Sequence, residues 1–156
     1  MRVINANGDL SRFESYGLPV IPDSLPDWPG PLAGILSCLD WLAQSHCECD
    51  LLLSCATDAP FISSDLAFRL LQARTAENAT LAQARSSGRR HPVFGLWPVS
   101  IRQDLRTALI EDGLRKIDDF TDRFSLAIAD FSGHPDPFSN VNQPDDIAAA
   151  EAYFDS

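Results

Sequence analysis

Short apolar runs and segments with helical spacing alternate along the chain. Arg2 to Asn5 is a β-rich run, broken by the turn pair Asn7-Gly8. Leu18 to Ile21 is a second apolar run, closed by Pro22-Asp23. Residues 24–31 hold three prolines and a glycine and read as a loop. Leu32, Ile35, Leu36, Leu39, Leu42 and Ala43 recur at helical spacing, which predicts a helix from Leu32 to Gln44. Asp50 to Ala56 is a continuous apolar run of the length of a strand buried on both faces of a parallel sheet. Ser63 or Ser64 can cap a helix through Leu66, Phe68, Leu70 and Leu71. Thr80 to Ala84 and Pro92 to Trp97 read as strands around a polar loop. Ile101 to Glu111 reads as an amphipathic helix stopped by Gly113, and Ser125 to Phe131 as a strand. A last helix starts at Gln143 or Pro144 and reaches Tyr153, with Asp145 and Asp146 in its first turn, where the helix dipole favours acids.

Strands alternating with helices predict an α/β sheet layered by helices, with ligands at the carboxyl ends of the strands. The 156 residues fit one domain, and 45% hydrophobic content suffices for a core. No apolar run is long enough to span a membrane, and the first residues are too polar for a signal peptide, so the cytoplasm is the expected compartment. Twelve basic against twenty-two acidic residues give a net charge of −10, which disfavours nucleic acid and anionic membranes as partners. The basic residues cluster, with Arg85, Arg89 and Arg90 close together and Arg115 beside Lys116. A basic pocket in an acidic protein suits a small phosphorylated ligand. Cys47 and Cys49 lack zinc-ribbon spacing, and Cys38 and Cys55 sit in apolar runs as expected core residues.

The candidate chemistry follows the strands. Asn5, Asp23 and Asp58 come after the first three and would project toward one edge. Asp58 can hold a hard divalent ion such as Mg²⁺ against nucleotide phosphates, or cap the turn before Ala59-Pro60; alone, the turn is favoured. Gly30 and Gly34 open the helix from Leu32, where backbone amides attract anions, although an ordinary loop-to-helix junction looks the same. Asn140 and Asn142 share a strand face and can meet a ligand edge; Asn142 can instead cap the last helix. Arg115 and Lys116 can bind phosphate or be a solvated helix end. His91, before Pro92, reads as a hydrogen-bonding group more readily than as a catalyst. G-x-S-x-G, Walker A, H-E-x-x-H and G-x-G-x-x-G motifs are absent.

Taken in order, these stretches resemble the molybdenum cofactor guanylyltransferase family. They are Val3-Ile-Asn-Ala-Asn7, Val20-Ile-Pro-Asp23, Trp28-Pro-Gly-Pro-Leu-Ala-Gly34, Ala56-Thr-Asp-Ala-Pro-Phe-Ile62, His91-Pro-Val-Phe-Gly-Leu96, Gly113-Leu-Arg-Lys116 and Phe138-Ser-Asn-Val-Asn142 with Pro144-Asp145-Asp146. The resemblance covers essentially the whole chain, and the ending in Asn-Val-Asn is its most specific part. It implies a three-layer, Rossmann-like, mostly parallel sheet of the nucleotide-diphospho-sugar transferase kind, forming one nucleotidyltransferase-like domain over 1–156. It further implies transfer of GMP from GTP to Mo-molybdopterin with release of pyrophosphate, and Mg²⁺ as cofactor. By the same resemblance Asn5 and Asp23 fall on the GTP site, and Asp58 is the metal ligand, catalytic residue and nucleotide contact. Asn140 and Asn142, with Arg115 and Lys116, fall on the pterin side, and Gly30 and Gly34 belong to a loop closing on the ligands. Other cofactor-biosynthesis proteins or apo-molybdoenzymes are implied partners, and a monomer is expected.

The family pattern begins with a strand and a loop resembling Leu-Ala-Gly-Gly-x-Ser-x-Arg-Met-Gly, followed by a lysine. No such stretch precedes Val3, and Lys116 is the sole lysine. The chain is therefore expected to be N-terminally incomplete, lacking the first strand and its phosphate-binding loop, and inactive in transfer by itself. Ala56 and Ala59 also stand where the family more often has Pro or Cys and Thr. Two alternatives remain: a non-catalytic remnant that binds pterin cofactor or a cofactor-handling partner, and a related cytidylyltransferase or other nucleotidyltransferase.

Overall fold

The computed structural model describes residues 1–25, 30–45 and 48–154. By its internal contacts the chain divides into two compact units. The first comprises Met1–Leu52 and Trp97–Ser125, the second Leu53–Leu96 and Leu126–Ser156.

In the first unit, β1 (Ile4–Asn5) pairs in parallel with β2 (Val20–Ile21). A short 3₁₀ helix, Leu10–Tyr16, joins them; the Asp9 side chain caps it by accepting from Ser11 N. The helix predicted from Leu32 to Gln44 is α1 (Pro31–Gln44), which starts with Pro31 in its first turn after Gly30. Its first two turns are buried nearly all round, from Leu32 to Leu39, as expected of a helix enclosed by its own unit. Asp40 of α1 holds α3 (Arg102–Ile110) through Arg106 at 2.6 Å and Arg102 at 3.6 Å. A five-residue helix, α4 (Ile117–Thr121), was not expected from the sequence; it is too short to show a period, yet Ile117, Phe120 and Thr121 are buried.

The four-stranded sheet has the order β3-β5-β4-β6, with β3 at Leu51–Ser54, β4 at Leu81–Ser86, β5 at Arg89–Pro98 and β6 at Leu126–Phe131. Strands β4 and β6 run parallel, while β4 and β5 are antiparallel. The polar loop between β4 and β5 is only Ser87-Gly88, both with positive φ, and a two-residue turn can join only antiparallel strands. The sheet is therefore mixed, with β5 antiparallel to β4 beside the parallel β4–β6 pair. Further along, the pairing steps from Gln83–Gly95 to Ala84–His91, so Pro92, Val93 and Phe94 bulge out. Strand β3 corrects one expectation. All four of its residues are half-buried, because it ends the strand order and among the described residues has a sheet neighbour on one side only. Cys55, expected in the core, is exposed just past its end.

In the second unit α2 (Leu66–Ala76) covers β4 and β6, inserting Leu66 and Leu70. Helix α5 (Pro144–Phe154) is capped by Asp146, whose Oδ2 accepts from the backbone N–H groups of Asn142 and Gln143, each at 3.0 Å. The Asn142 side chain takes no part in that cap. Among the described residues, no helix is long and apolar enough to cross a membrane.

Candidate functional site

The first unit gathers Asn5, Asn7 and Asp23 where β1 and β2 end. Parallel pairing puts Asn5 opposite Ile21, two residues before Asp23. Asn5 Nδ2 donates to Ile21 O and to Asp23 Oδ1, both at 2.9 Å. Asn7 Nδ2 donates to Asp23 Oδ2, and Asp23 N donates back to Asn7 Oδ1, both at 2.8 Å. Asp23 is thus clasped by two side-chain amides, one of them from Asn7, which the sequence marked as a turn residue. Its signal was the Asn-x-Asn spacing, which puts Asn5 and Asn7 on one face of an extended segment.

Gly34 belongs to this clasp. It lies inside α1 and is buried, so it is not part of a loop closing on ligands. A Cβ at Gly34 would stand 2.1 Å from Asn5 Oδ1, so only glycine lets the asparagine lie against the helix. Gly30 is the exposed residue before α1, with φ of 124°. The Trp28-Pro29 half of the motif lies outside the described residues, as does Cys47. Ser37 completes the arrangement by accepting from Ser24 N at 2.7 Å. Burial, with Asp23 nearby, pushes the Cys38 thiol up to about 11. Arg115 and Lys116 also fall in the first unit, exposed on the connection before α4, with Arg115 donating to Leu114 O.

The second unit contains a cavity of about 600 Å³ that includes Asn140 and Asn142 in its lining. Arg89, Arg90 and His91 enter it from β5 just past the hairpin turn. Arg85 does not join them. It points the other way along β4 and makes a two-pronged pair with Asp130 of β6, at 2.6 and 2.7 Å. Phe138 and Phe94 line the same cavity, with ring centres 4.6 Å apart, and Phe138 lies 4.7 Å from His91.

Ser86 Oγ bonds Asp136 Oδ1 at 2.8 Å and His91 Nε2 at 2.7 Å, and Ser87 Oγ donates to Asp136 Oδ2 at 3.1 Å. Burial raises the Asp136 carboxyl, but bonds from Phe138 N, Ser86 and Ser87, with His91 nearby, outweigh it and hold the group below the ordinary range. For His91, burial lowers the pKa; Asp136 opposes that, Arg89 adds to it, and the net shift is downward. Asp136 had a sequence signal in Asp-Pro-Phe, an Asx turn in which the carboxylate accepts from Phe138 N at 3.0 Å. Buried Ser86 carried none.

The Asn-Val-Asn segment is pinned through its middle residue. Val141 N donates to Asp58 O at 2.7 Å. With side chains alternating, Asn140 and Asn142 line the large cavity, while Val141 and Asp58 line a second hollow of about 460 Å³ beside α5. Arg89, Asn140, Asn142 and Asp58 make no side-chain hydrogen bond or ion pair among the described residues. No cluster of three metal-ligating side chains occurs among the described residues, so a metal that needs an all-protein cage does not fit. Mg²⁺ does fit: it is commonly held by one or two carboxylates, waters and substrate phosphates, and the half-buried, unpaired Asp58 can supply one.

The model of the MobA-like NTP transferase domain matches residues 2–124. A molybdenum cofactor guanylyltransferase of Rhodopseudomonas palustris is 50% identical over 95% of this chain and 71% of its own length. That of Mesorhizobium japonicum is 42% identical over 94% of this chain and 72% of its own. Among solved structures, the molybdopterin-guanine dinucleotide biosynthesis protein A of Archaeoglobus fulgidus aligns with a TM-score of 0.74 at 21% identity, over 98% of this chain and 78% of its own. That likeness shows the fold, and the sequence matches show the kinship: the chain belongs to the molybdenum cofactor guanylyltransferase family of MobA-like nucleotidyltransferases.

Proposed function

We propose that this chain serves guanylyl transfer to the molybdenum cofactor: GMP passes from GTP to Mo-molybdopterin, and pyrophosphate leaves. The observation that carries the reading is the second unit's cavity, where Arg89, Asn140 and Asn142 have no side-chain partners among the described residues and lie beside His91. Guanidinium groups suit a phosphate, and side-chain amides suit the donor and acceptor edge of a pterin. We place the pterin there. Arg115 and Lys116 remain candidates for phosphate contact in the first unit.

The clasp of Asn5, Asn7 and Asp23 is assigned to the GTP side. Its amides fix the ends of β1 and β2, and each Asp23 oxygen keeps a lone pair for a ligand donor. Gly34 lets Asn5 lie against α1, and Gly30 leaves an open helix start. In the transfer a phosphate oxygen of the pterin attacks the α-phosphorus of GTP. Such chemistry asks the protein for positioning and charge neutralisation. Asp58 would hold Mg²⁺, which when bound neutralises charge on the phosphate oxygens. In this reading residues 1–156 belong to one nucleotidyltransferase-like domain, acting as a monomer in the cytoplasm, with cofactor-biosynthesis proteins or apo-molybdoenzymes receiving the product.

The test follows pyrophosphate and dinucleotide formation from Mg-GTP and molybdopterin. It uses the chain alone and the chain preceded by a Leu-Ala-Gly-Gly-type loop and its lysine. Product from GTP in either form supports the reading. Product from CTP in preference makes it a cytidylyltransferase, and pterin binding with no product in either form makes it a binding protein.

A further inference from the structure

The hydrogen-bond chain Asp136–Ser86–His91 has one self-consistent assignment of protons. Asp136 accepts from Ser86 Oγ, Ser87 Oγ and Phe138 N, so it is an ionised carboxylate with every contact a donor. Ser86 has a single hydroxyl proton, and that proton goes to Asp136. The 2.7 Å contact between Ser86 Oγ and His91 Nε2 then needs its proton from the imidazole. His91 Nε2 is therefore the N–H, and in the neutral ring Nδ1 carries a lone pair. Nδ1 has no hydrogen-bond partner among the described residues, while the ring lines the large cavity beside Arg89 and Asn140. The ring cannot swing freely, because Phe138 lies 4.7 Å away on one side and Phe94 6.3 Å away edge-on. The fold also fixes the partners. Ser86 is 1% exposed, on the strand just before the turn, and His91 sits diagonally across the hairpin on the same face.

We infer that Asp136 and Ser86 lock His91 as the Nε2–H tautomer, so that Nδ1 is the acceptor that selects a ligand by an N–H donor on its heterocycle. The inference rests on the reading of the cavity as the pterin site and deepens it. The arginines take the anion, and His91 reads the ring. A pterin has amine and lactam N–H groups for such an acceptor. A flat heterocycle with only acceptors along that edge would leave Nδ1 buried against a lone pair and be refused. His91 is a positioning and specificity residue here, and no proton transfer is asked of it.

Two probes separate this from the reading it rests on: 6-hydroxymethylpterin, which carries the ring without phosphate, and inorganic phosphate. Both are titrated against the full chain at pH 7.5, and imidazole ¹⁵N shifts report the His91 tautomer. Nitrogen shifts should show Nε2–H in the wild type and a mixture in Ser86→Ala. His91→Ala should weaken the pterin by about tenfold, the scale of one buried hydrogen bond, and leave phosphate unchanged. His91→Asn, whose Oδ1 can occupy the place of Nδ1, should restore binding to within about threefold, as expected when a comparable acceptor is returned. An Nδ1–H tautomer in the wild type overturns the inference. So does pterin binding indifferent to His91→Ala, which leaves the cavity's assignment standing. A wild type that takes phosphate but no pterin overturns that assignment and the inference together.

Discussion

The two units treat their polar residues in opposite ways. In the first, side-chain hydrogen bonds tie Asn5 and Asn7 to Asp23, and Gly34 leaves room for Asn5. In the second, Asp136 and Ser86 are bonded to each other, yet Arg89, Asn140 and Asn142 in the same cavity, and Asp58 in the hollow beside α5, have no side-chain partner among the described residues. Groups that satisfy each other hold shape, and their loss is read as stability. Groups held in place with nothing to bond are set for something not part of the chain, and their loss is read in binding or rate.

The largest expected effect is on rate. Asp58→Asn keeps the shape and the backbone contact with Val141 while removing the charge. In whichever form of the chain supports transfer, pyrophosphate release should fall by about 10²-fold or more, on the scale of a lost electrostatic stabiliser. Thermal stability should be unchanged. Near-normal turnover in that variant would take Asp58 out of the chemistry.

Next comes the clasp. Gly34→Ala puts a methyl into Asn5 Oδ1, and overpacking of this kind costs about 1–3 kcal/mol. Urea denaturation would measure it, and Asn5→Ala in the same chain should recover part of the loss. A Gly34→Ala chain as stable as the parent would mean that the two residues do not press on each other.

The start of α5 separates the two kinds of residue within four positions. Asp146→Ala should cost about 0.5–2 kcal/mol as a lost helix cap. Asn142→Ala should leave stability unaltered, since its side chain caps nothing. Equal losses from the two substitutions would put Asn142 back among the structural residues.

A smaller effect concerns Cys38. Its folded pKa of about 11 lies above the ordinary thiol value, so the unfolded chain ionises first as pH rises. Its contribution is intact below about pH 9, near the ordinary thiol value, and is lost as pH climbs toward about 11. Cys38→Ala should flatten the fall in melting temperature over that window. An unchanged slope would assign the alkaline loss to other groups.

Much of this was legible in the chain. Helical spacing marked α1 and α3, Pro144 with Asp145 and Asp146 marked the start of α5, and the apolar runs marked every strand of the larger sheet. Asn140 and Asn142 could be placed on one side because an extended segment alternates faces. What stayed hidden depended on pairing across distance. Ser86 is an ordinary strand serine until Asp136, fifty residues away, and His91 across the hairpin close on it. The burial of β3 was overestimated because an apolar run does not say how many neighbours a strand will have. Arg85 looked like a pocket residue by proximity in sequence, but strand alternation sends it to Asp130.

The division of labour between the units is tested most directly with Asn140→Ala, an exposed side chain without partners among the described residues. Molybdopterin and Mg-GTP are titrated separately against the parent and the variant, with melting temperature as a control for folding. Molybdopterin binding should weaken by about tenfold, the scale of a lost ligand hydrogen bond, while GTP binding and melting stay as they were. A loss confined to GTP would contradict the assignment of the second unit's cavity to the pterin.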